Sequence, residues 1–232
     1  HSIRTYWSEV LAYPLEEGAA LTGHWGDLTS FWYFQHGEGK RQDLWAIFPP
    51  NLEQVETWLQ ESGRPLYLAG PLLDWSPELS GAYDLTPWGI LVRIAPKNVP
   101  AALPPLTPVS AQFGEQLQLL GYRTERPVEG KLQLWLGWET LNPTSRDWSV
   151  SLRFHAPDGN VILQKDGRLA SLWYPDGTLP AGQPVLTVFD VEVPSDLPPD
   201  TVARLVVYDP NTVAPLLTPE GQDVVEVGRI IP

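Results

Sequence analysis

Few residues in this chain could start a reaction. Histidine occurs four times, at His1, His24, His36 and His155, and cysteine does not occur. Without thiols there is no cysteine nucleophile, no disulfide and no cysteine-ligated metal. No histidine belongs to an HExxH or other short ligand pair, so we expect neither a metal nor a cofactor. The stretch His24-Trp25-Gly26-Asp27 stands apart. It directly follows a short apolar run, residues 19–22, that reads as a strand, and open α/β sheets bind ligands in the loops beyond their strands' carboxyl ends. An imidazole, an indole and a carboxylate together could hold a sugar by stacking and hydrogen bonding. A purely structural reading competes: Trp25 fills the top of the core, and Asp27 caps the next helix by accepting orphan amide N–H groups. His24, Trp25 and Asp27 are therefore candidate ligand-binding residues, with no catalytic group assigned.

Other motifs resolve into turns or into core. His36 to Arg41, HGEGKR, invites a phosphate reading. It fails on spacing, because Phe34 stands where a P-loop needs its first glycine and Arg41 where it needs Ser or Thr. Three Asp-Gly pairs, Asp158-Gly159, Asp166-Gly167 and Asp176-Gly177, could present carboxylates to calcium. Asp-Gly is equally the natural pair for a tight hairpin, and the turn reading is preferred. There is no GxSxG nucleophile elbow. Eleven tryptophans could build a sugar-stacking platform. Trp7, Trp58, Trp135 and Trp148 nevertheless fall within helix or strand patterns, where burial is the default.

The elements that must position these residues change character along the chain. Ile3, Tyr6, Trp7, Val10 and Leu11 share one helical face, ended by Pro14. After the strand at 19–22 come a helix over 28–35, a buried strand over 44–48, and a helix opened by Pro50 and closed by Gly63. Strands over 66–69 and 90–94 follow. This alternation predicts a small parallel sheet covered by helices, Rossmann-like in layout, over residues 1–96. Residues 97–108 contain four prolines and read as a stiff extended linker. From 109 to 232 the period becomes two, as in Leu132, Leu134, Leu136 and in Val150, Leu152, Phe154. Short strands between Gly, Pro and Asp turns predict an all-β sandwich of Ig-like or jelly-roll type. The expected fold class is thus α+β, in two parts.

Composition bounds the function. Fifteen basic residues against 28 acidic ones give a net charge of −13 over 232 residues. A nucleic-acid partner is excluded, because phosphate binding needs a basic face. Methionine is absent, even at position 1, so the chain is expected to be a fragment or processed product. No run reaches the ~18 apolar residues of a membrane span.

Several stretches resemble the soluble C-terminal region of large bacterial multi-spanning membrane glycosyltransferases of the protein O-mannosyltransferase-like (GT-C) kind. They are GAALTGHWGDLTSFWYFQHGEGKRQDLWAI (18–47), GRPLYLAG (63–70), FGEQLQLLGY (113–122), LQLWLGW (132–138), DWSVSLRFHAPDGNVILQKDG (147–167) and ARLVVYDPNT (203–212). Where relatives commonly carry glycine after this Asn-Thr, the chain has Val213. The resemblance implies a non-catalytic region on the extracytoplasmic face of the membrane, attached to a membrane-embedded part of the same polypeptide. It would recognise a glycan or acceptor protein, or act as a scaffold. Two rivals remain open: a hydrolase or transferase using His24 and Asp27 with Trp25 as platform, and a protein–protein module docking through the apolar helix over 3–11.

Overall fold

The computed structural model describes residues 3–71, 81–127, 130–175, 177–194 and 196–230; His1 and Asp176 lie outside the described residues. The chain forms two compact units, His1–Ala102 with Ser171–Tyr174, and Leu103–Ala170 with Pro175–Pro232.

The first unit starts with helix α1 (Ile3–Val10), whose Trp7 and Val10 are buried. Strand β1 (Ala20–Thr22) leads into α2 (Trp25–Trp32), which continues as a π-helical turn, Tyr33–Gly37. Trp7 packs on Phe31 of α2 with ring centroids 5.5 Å apart, so the middle of the apolar face of α1 is covered inside its own unit, while Ile3 at its start stays 56% exposed. Strand β2 (Trp45–Ile47), α3 (Leu52–Ser62), β3 (Leu66–Leu68), β4 (Tyr83–Trp88) and β5 (Leu91–Pro96) follow. Local chemistry sets the limits of α3. The Asn51 carboxamide oxygen accepts the Gln54 N–H at 3.0 Å, and Gly63, at φ +63°, takes the left-handed closing position.

The expected Rossmann-like parallel layer does not form. Only β2–β1 and β1–β3 are parallel, three residues each; β5 then joins β3 antiparallel, and β4 joins β5 antiparallel. The cause is the connection between β4 and β5. Trp88 pairs with Leu91 across a two-residue turn in which Gly89 has φ +61°, and so short a turn can only reverse the chain. Pro87 inside β4 hides that strand from pattern reading, since proline lacks the N–H a ladder needs. With few helices and mixed or antiparallel pairing, the fold is mostly β rather than α+β.

A charged cluster sits beneath this sheet. The wholly buried Arg93 donates from Nε to Glu16 Oε1 at 2.8 Å and from Nη2 to the Val99 carbonyl at 3.2 Å. The Tyr67 hydroxyl donates to the other Glu16 oxygen. A guanidinium out of water is tolerated only with such partners.

The second unit is a β-sandwich. In one sheet β13 (Pro184–Glu192), β8 (Lys131–Thr140), β7 (Leu117–Glu125) and β6 (Thr107–Phe113) lie side by side. The other runs β11 (Val161–Arg168), β10 (Ser149–His155), β14 (Val202–Tyr208), β15 (Val225–Arg229), and a short ladder joins β9 (Thr144–Ser145) to β12 (Thr178–Leu179). All these pairings are antiparallel. Glycines mark where the sheets meet. A Cβ on Gly167 would lie 2.9 Å from the Phe189 ring, and one on Gly228 would lie 2.3 Å from the Tyr122 hydroxyl. These contacts set β11 over β13 and β15 over β7. Val150, Leu152 and Phe154 point inward and are buried, as their alternation predicts. Thr107 and Pro108, at the end of the proline-rich stretch, open β6 by pairing with Tyr122 and Gly121.

The Asp-Gly pairs divide. Asp158-Gly159 makes the turn between β10 and β11, with Gly159 at φ +88° and the Asp158 carboxylate accepting the Asn160 N–H at 2.9 Å. Asp166-Gly167 lies inside β11, where its glycine leaves room for Phe189.

Candidate functional site

Strand β1 ends at Thr22, whose hydroxyl donates to the Ile47 carbonyl at 2.8 Å, and the chain turns straight into α2. His24 is the N-cap in extended conformation, φ −64° and ψ 154°. Its carbonyl accepts the N–H groups of Asp27 at 3.0 Å and Leu28 at 3.1 Å, while its ring makes no capping bond and lies beside Gly70. Asp27 therefore stands at the third helical position and not at the cap. Burial, and secondarily the Asp27 carboxylate, push the Tyr6 phenol above its ordinary range; the Tyr6 hydroxyl lies 3.4 Å from the Ala69 carbonyl. No side-chain hydrogen bond joins His24 to Asp27, although both are among the described residues.

Trp25 does not fill the core. It is 56% exposed and makes edge-on contacts with Trp32 at 5.4 Å and Phe48 at 5.2 Å. A second pair stands at Trp45, 58% exposed on β2 and tilted against Trp58 at 6.1 Å; Trp32 and Trp45 line a common groove, and the two clusters together make an aromatic shelf. Reading residues 44–48 as a buried strand fails here because β2 is the sheet's edge, so one flank of the strand has no neighbour among the described residues.

Between Trp32 and Trp45 opens a groove of about 380 Å³, floored by Leu44 and Ala46 and edged by His36 and Gln42. That volume lies within the range of small-ligand sites. Its wall is fixed from behind. The π-helical turn places buried Gln35 so that Nε2 donates to the carbonyls of Arg41 at 2.9 Å and Leu44 at 2.7 Å. Arg41, at φ +46°, forms a two-pronged pair with Asp43 (2.9 and 2.8 Å) and donates to the Leu15 carbonyl at 2.9 Å. The Arg41 guanidinium holds the Asp43 carboxyl below its usual range. A strained backbone and a π-turn, both costly, are thus held in place by dense bonding.

Of the three sequence candidates, Trp25 joins this aromatic surface, while His24 and Asp27 flank it without forming a reactive couple. Trp32, His36, Gln42, Trp45 and Phe48 were missed. The available signal was aromatic density between residues 25 and 58; what one sequence hides is that β2 is an edge. Among the described residues no group of three or more His, Cys, Asp or Glu is placed to hold a metal ion, and no helix is long and apolar enough to cross a membrane.

No protein-family model matches this sequence, and no curated protein sequence matches it. Among solved structures, the chain is similar to the C-terminal domain of wzt, at 13% identity over 58% of this chain and 78% of that one, with a TM-score of 0.32. It is also similar to a Bacteroides fragilis protein named for beta-galactosidase, at 10% identity over 60% of this chain and 18% of that one, with a TM-score of 0.21. At such scores neither likeness carries an argument about this chain.

Proposed function

We propose that the chain is a non-catalytic glycan-recognition region and that the aromatic shelf of its first unit is where sugar docks. One observation carries this reading: Trp25 and Trp45 are more than half exposed, and Trp32, the ring Trp25 packs against, lines one groove with Trp45, His36 and Gln42. Large apolar surface left in water marks an interaction site. Indole faces suit the C–H faces of pyranose rings, and His36 and Gln42 can exchange hydrogen bonds with hydroxyls. The resemblance to membrane glycosyltransferases supports placing the chain on the extracytoplasmic side, attached to a membrane-embedded part of the same polypeptide. In that setting the shelf would present a glycan or a glycosylated acceptor to the membrane part.

The test is calorimetric titration of the chain with neutral hexasaccharides, followed by intrinsic tryptophan fluorescence. Binding should be detectable with wild type and fall by about tenfold or more, equivalent to ~1.4 kcal/mol, in Trp45→Ala and in Trp25→Ala. Affinity unchanged in both variants would reject the shelf as the docking surface.

A further inference from the structure

We infer that the outer face of the second unit's β11–β10–β14 sheet is a separate binding site for a neutral saccharide, independent of the aromatic shelf. A groove of about 480 Å³ crosses this face. Its floor follows from strand register. Ser151 lies between Asp166 of β11 and Val206 of β14, and Arg153 lies next to Gln164. These residues occupy the strand positions opposite to Val150, Leu152 and Phe154, so they face away from the core. The far wall is the loop after β14, carrying Pro210, Val213, Pro215 and Asp223.

Two features separate this groove from an ordinary sheet surface. The first is unmet hydrogen bonding. Ser151 is only 2% exposed although it lies on the outward face, and its Oγ has no partner; Arg153 Nε likewise has none. A buried polar atom left unpaired costs ~1–3 kcal/mol, and native proteins keep such atoms where something else completes them. The second is strain. Val213 holds φ +61°, a left-handed conformation that β-branched residues avoid. The loop is held there by bonds from the Val213 N–H to the Asp209 carbonyl (2.8 Å), from the Asp209 N–H to the Ala214 carbonyl (3.0 Å), and from the Asn211 N–H to Asp209 Oδ1 (2.7 Å).

The polar pattern selects the ligand. The floor offers donors, a guanidinium N–H and a hydroxyl, while both rims offer carboxylates, Asp166 and Asp223. The occupant must accept at its centre and donate at its edges, as a sugar ring with several hydroxyls does. Val206, Pro210 and Pro215 supply an apolar surface for its C–H face. An acidic sugar or phosphate is disfavoured, because Asp166 and Asp223 line the groove with the one guanidinium of Arg153, the neighbouring Arg204 being paired with Glu226, on a chain of net charge −13.

The experiment is an amide-resolved NMR titration of the full chain with maltohexaose, cellohexaose, mannohexaose and N-acetylchitohexaose, with a hexuronate oligomer and an uncharged hexapeptide as contrasts. At least one neutral sugar should shift the amides of Ser151, Arg153, Gln164 and Val206. Arg153→Met and Asp223→Asn should each weaken that binding by about tenfold. Asp223 sits on an exposed loop, so its variant keeps the test valid if Arg153→Met fails to fold. The shifts should persist in Trp25→Ala/Trp45→Ala, which separates this site from the shelf. The inference is overturned if none of the four neutral sugars moves these amides, if only the hexuronate or the peptide does, or if both groove variants bind as wild type.

Discussion

The two units differ in which aromatic and charged side chains they leave in water, although both bury tryptophans, the first unit at Trp7 and Trp88. The second unit buries Trp135 and Trp138 in its sandwich, and Trp148 is partly covered with its Nε1–H donating to Thr144 Oγ1 at 2.7 Å. Among its described residues no Asp, Glu, Lys or Arg is buried as a whole residue, although Arg153 Nε is covered. The first unit buries Arg93 and Tyr67 against a partly exposed Glu16, and leaves Trp25, Trp45 and Phe48 largely in water. The same residue type therefore carries different meanings in the two places. Where strands alternate regularly, a tryptophan is packing. Where three-residue strands meet at an edge, an indole is left over, and a leftover indole is available for recognition.

The sharpest way to break this contrast is to remove a buried ring and compare it with an exposed one. Trp138 is fully buried against Phe113, ring centroids 5.8 Å apart. Trp138→Ala should cost about 4 kcal/mol, read as early urea unfolding of the second unit. Next in size is the charged cluster. Glu16→Ala leaves the Arg93 guanidinium buried without its carboxylate. The expected loss is about 3 kcal/mol, the low end for a broken buried pair because Glu16 is itself partly exposed. Hydrogen exchange should speed up in β1, β3 and β5 while the second unit's amides keep their protection. Trp45→Ala should cost only about 1 kcal/mol, since most of that ring already faces solvent. If it costs as much as Trp138→Ala, the shelf is part of the core and the contrast fails.

Acid tests the wall behind the shelf. Asp43 is held below its usual carboxylate range by Arg41, so it binds a proton more readily in the unfolded chain than in the folded one. Its contribution is fully present above an unfolded value of about 4 and is lost as pH falls through the lower folded value. The groove between Trp32 and Trp45 should therefore loosen at low pH. Asp43→Asn should remove that part of the pH dependence in fluorescence-monitored unfolding.

Sequence patterns reached the elements more securely than their assembly. The helix containing Trp7 and Val10, the helix closed by Gly63, and the alternation through Val150, Leu152 and Phe154 depend on neighbours a few residues away. The direction of β5 depends instead on a turn at Gly89 following a proline-bearing strand, and local periodicity has no access to that. The candidate site divides in the same way. Trp25 was visible as an indole in a loop after a strand. Trp45 was not, because its exposure comes from the missing neighbour of β2. The groove around Ser151 was invisible for the same reason: its floor joins three strands that are distant in sequence, and a serine in an alternating strand reads as an ordinary outward residue.

The smallest expected effect has the opposite sign. Val213 is 70% exposed and lies at φ +61°, so its side chain gains little from packing while its backbone is strained. Glycine accepts this conformation without a Cβ clash but loses more chain entropy on folding. The net change for Val213→Gly should be a gain of about 0.5 kcal/mol, read as a slightly higher urea midpoint for the second unit. Val213→Ala keeps the Cβ and should gain nothing. If glycine destabilises instead, the loop is held by its side-chain contacts rather than despite them. The strain argument for the groove wall would then fall, leaving that site to rest on the unpaired Ser151 and Arg153 atoms alone.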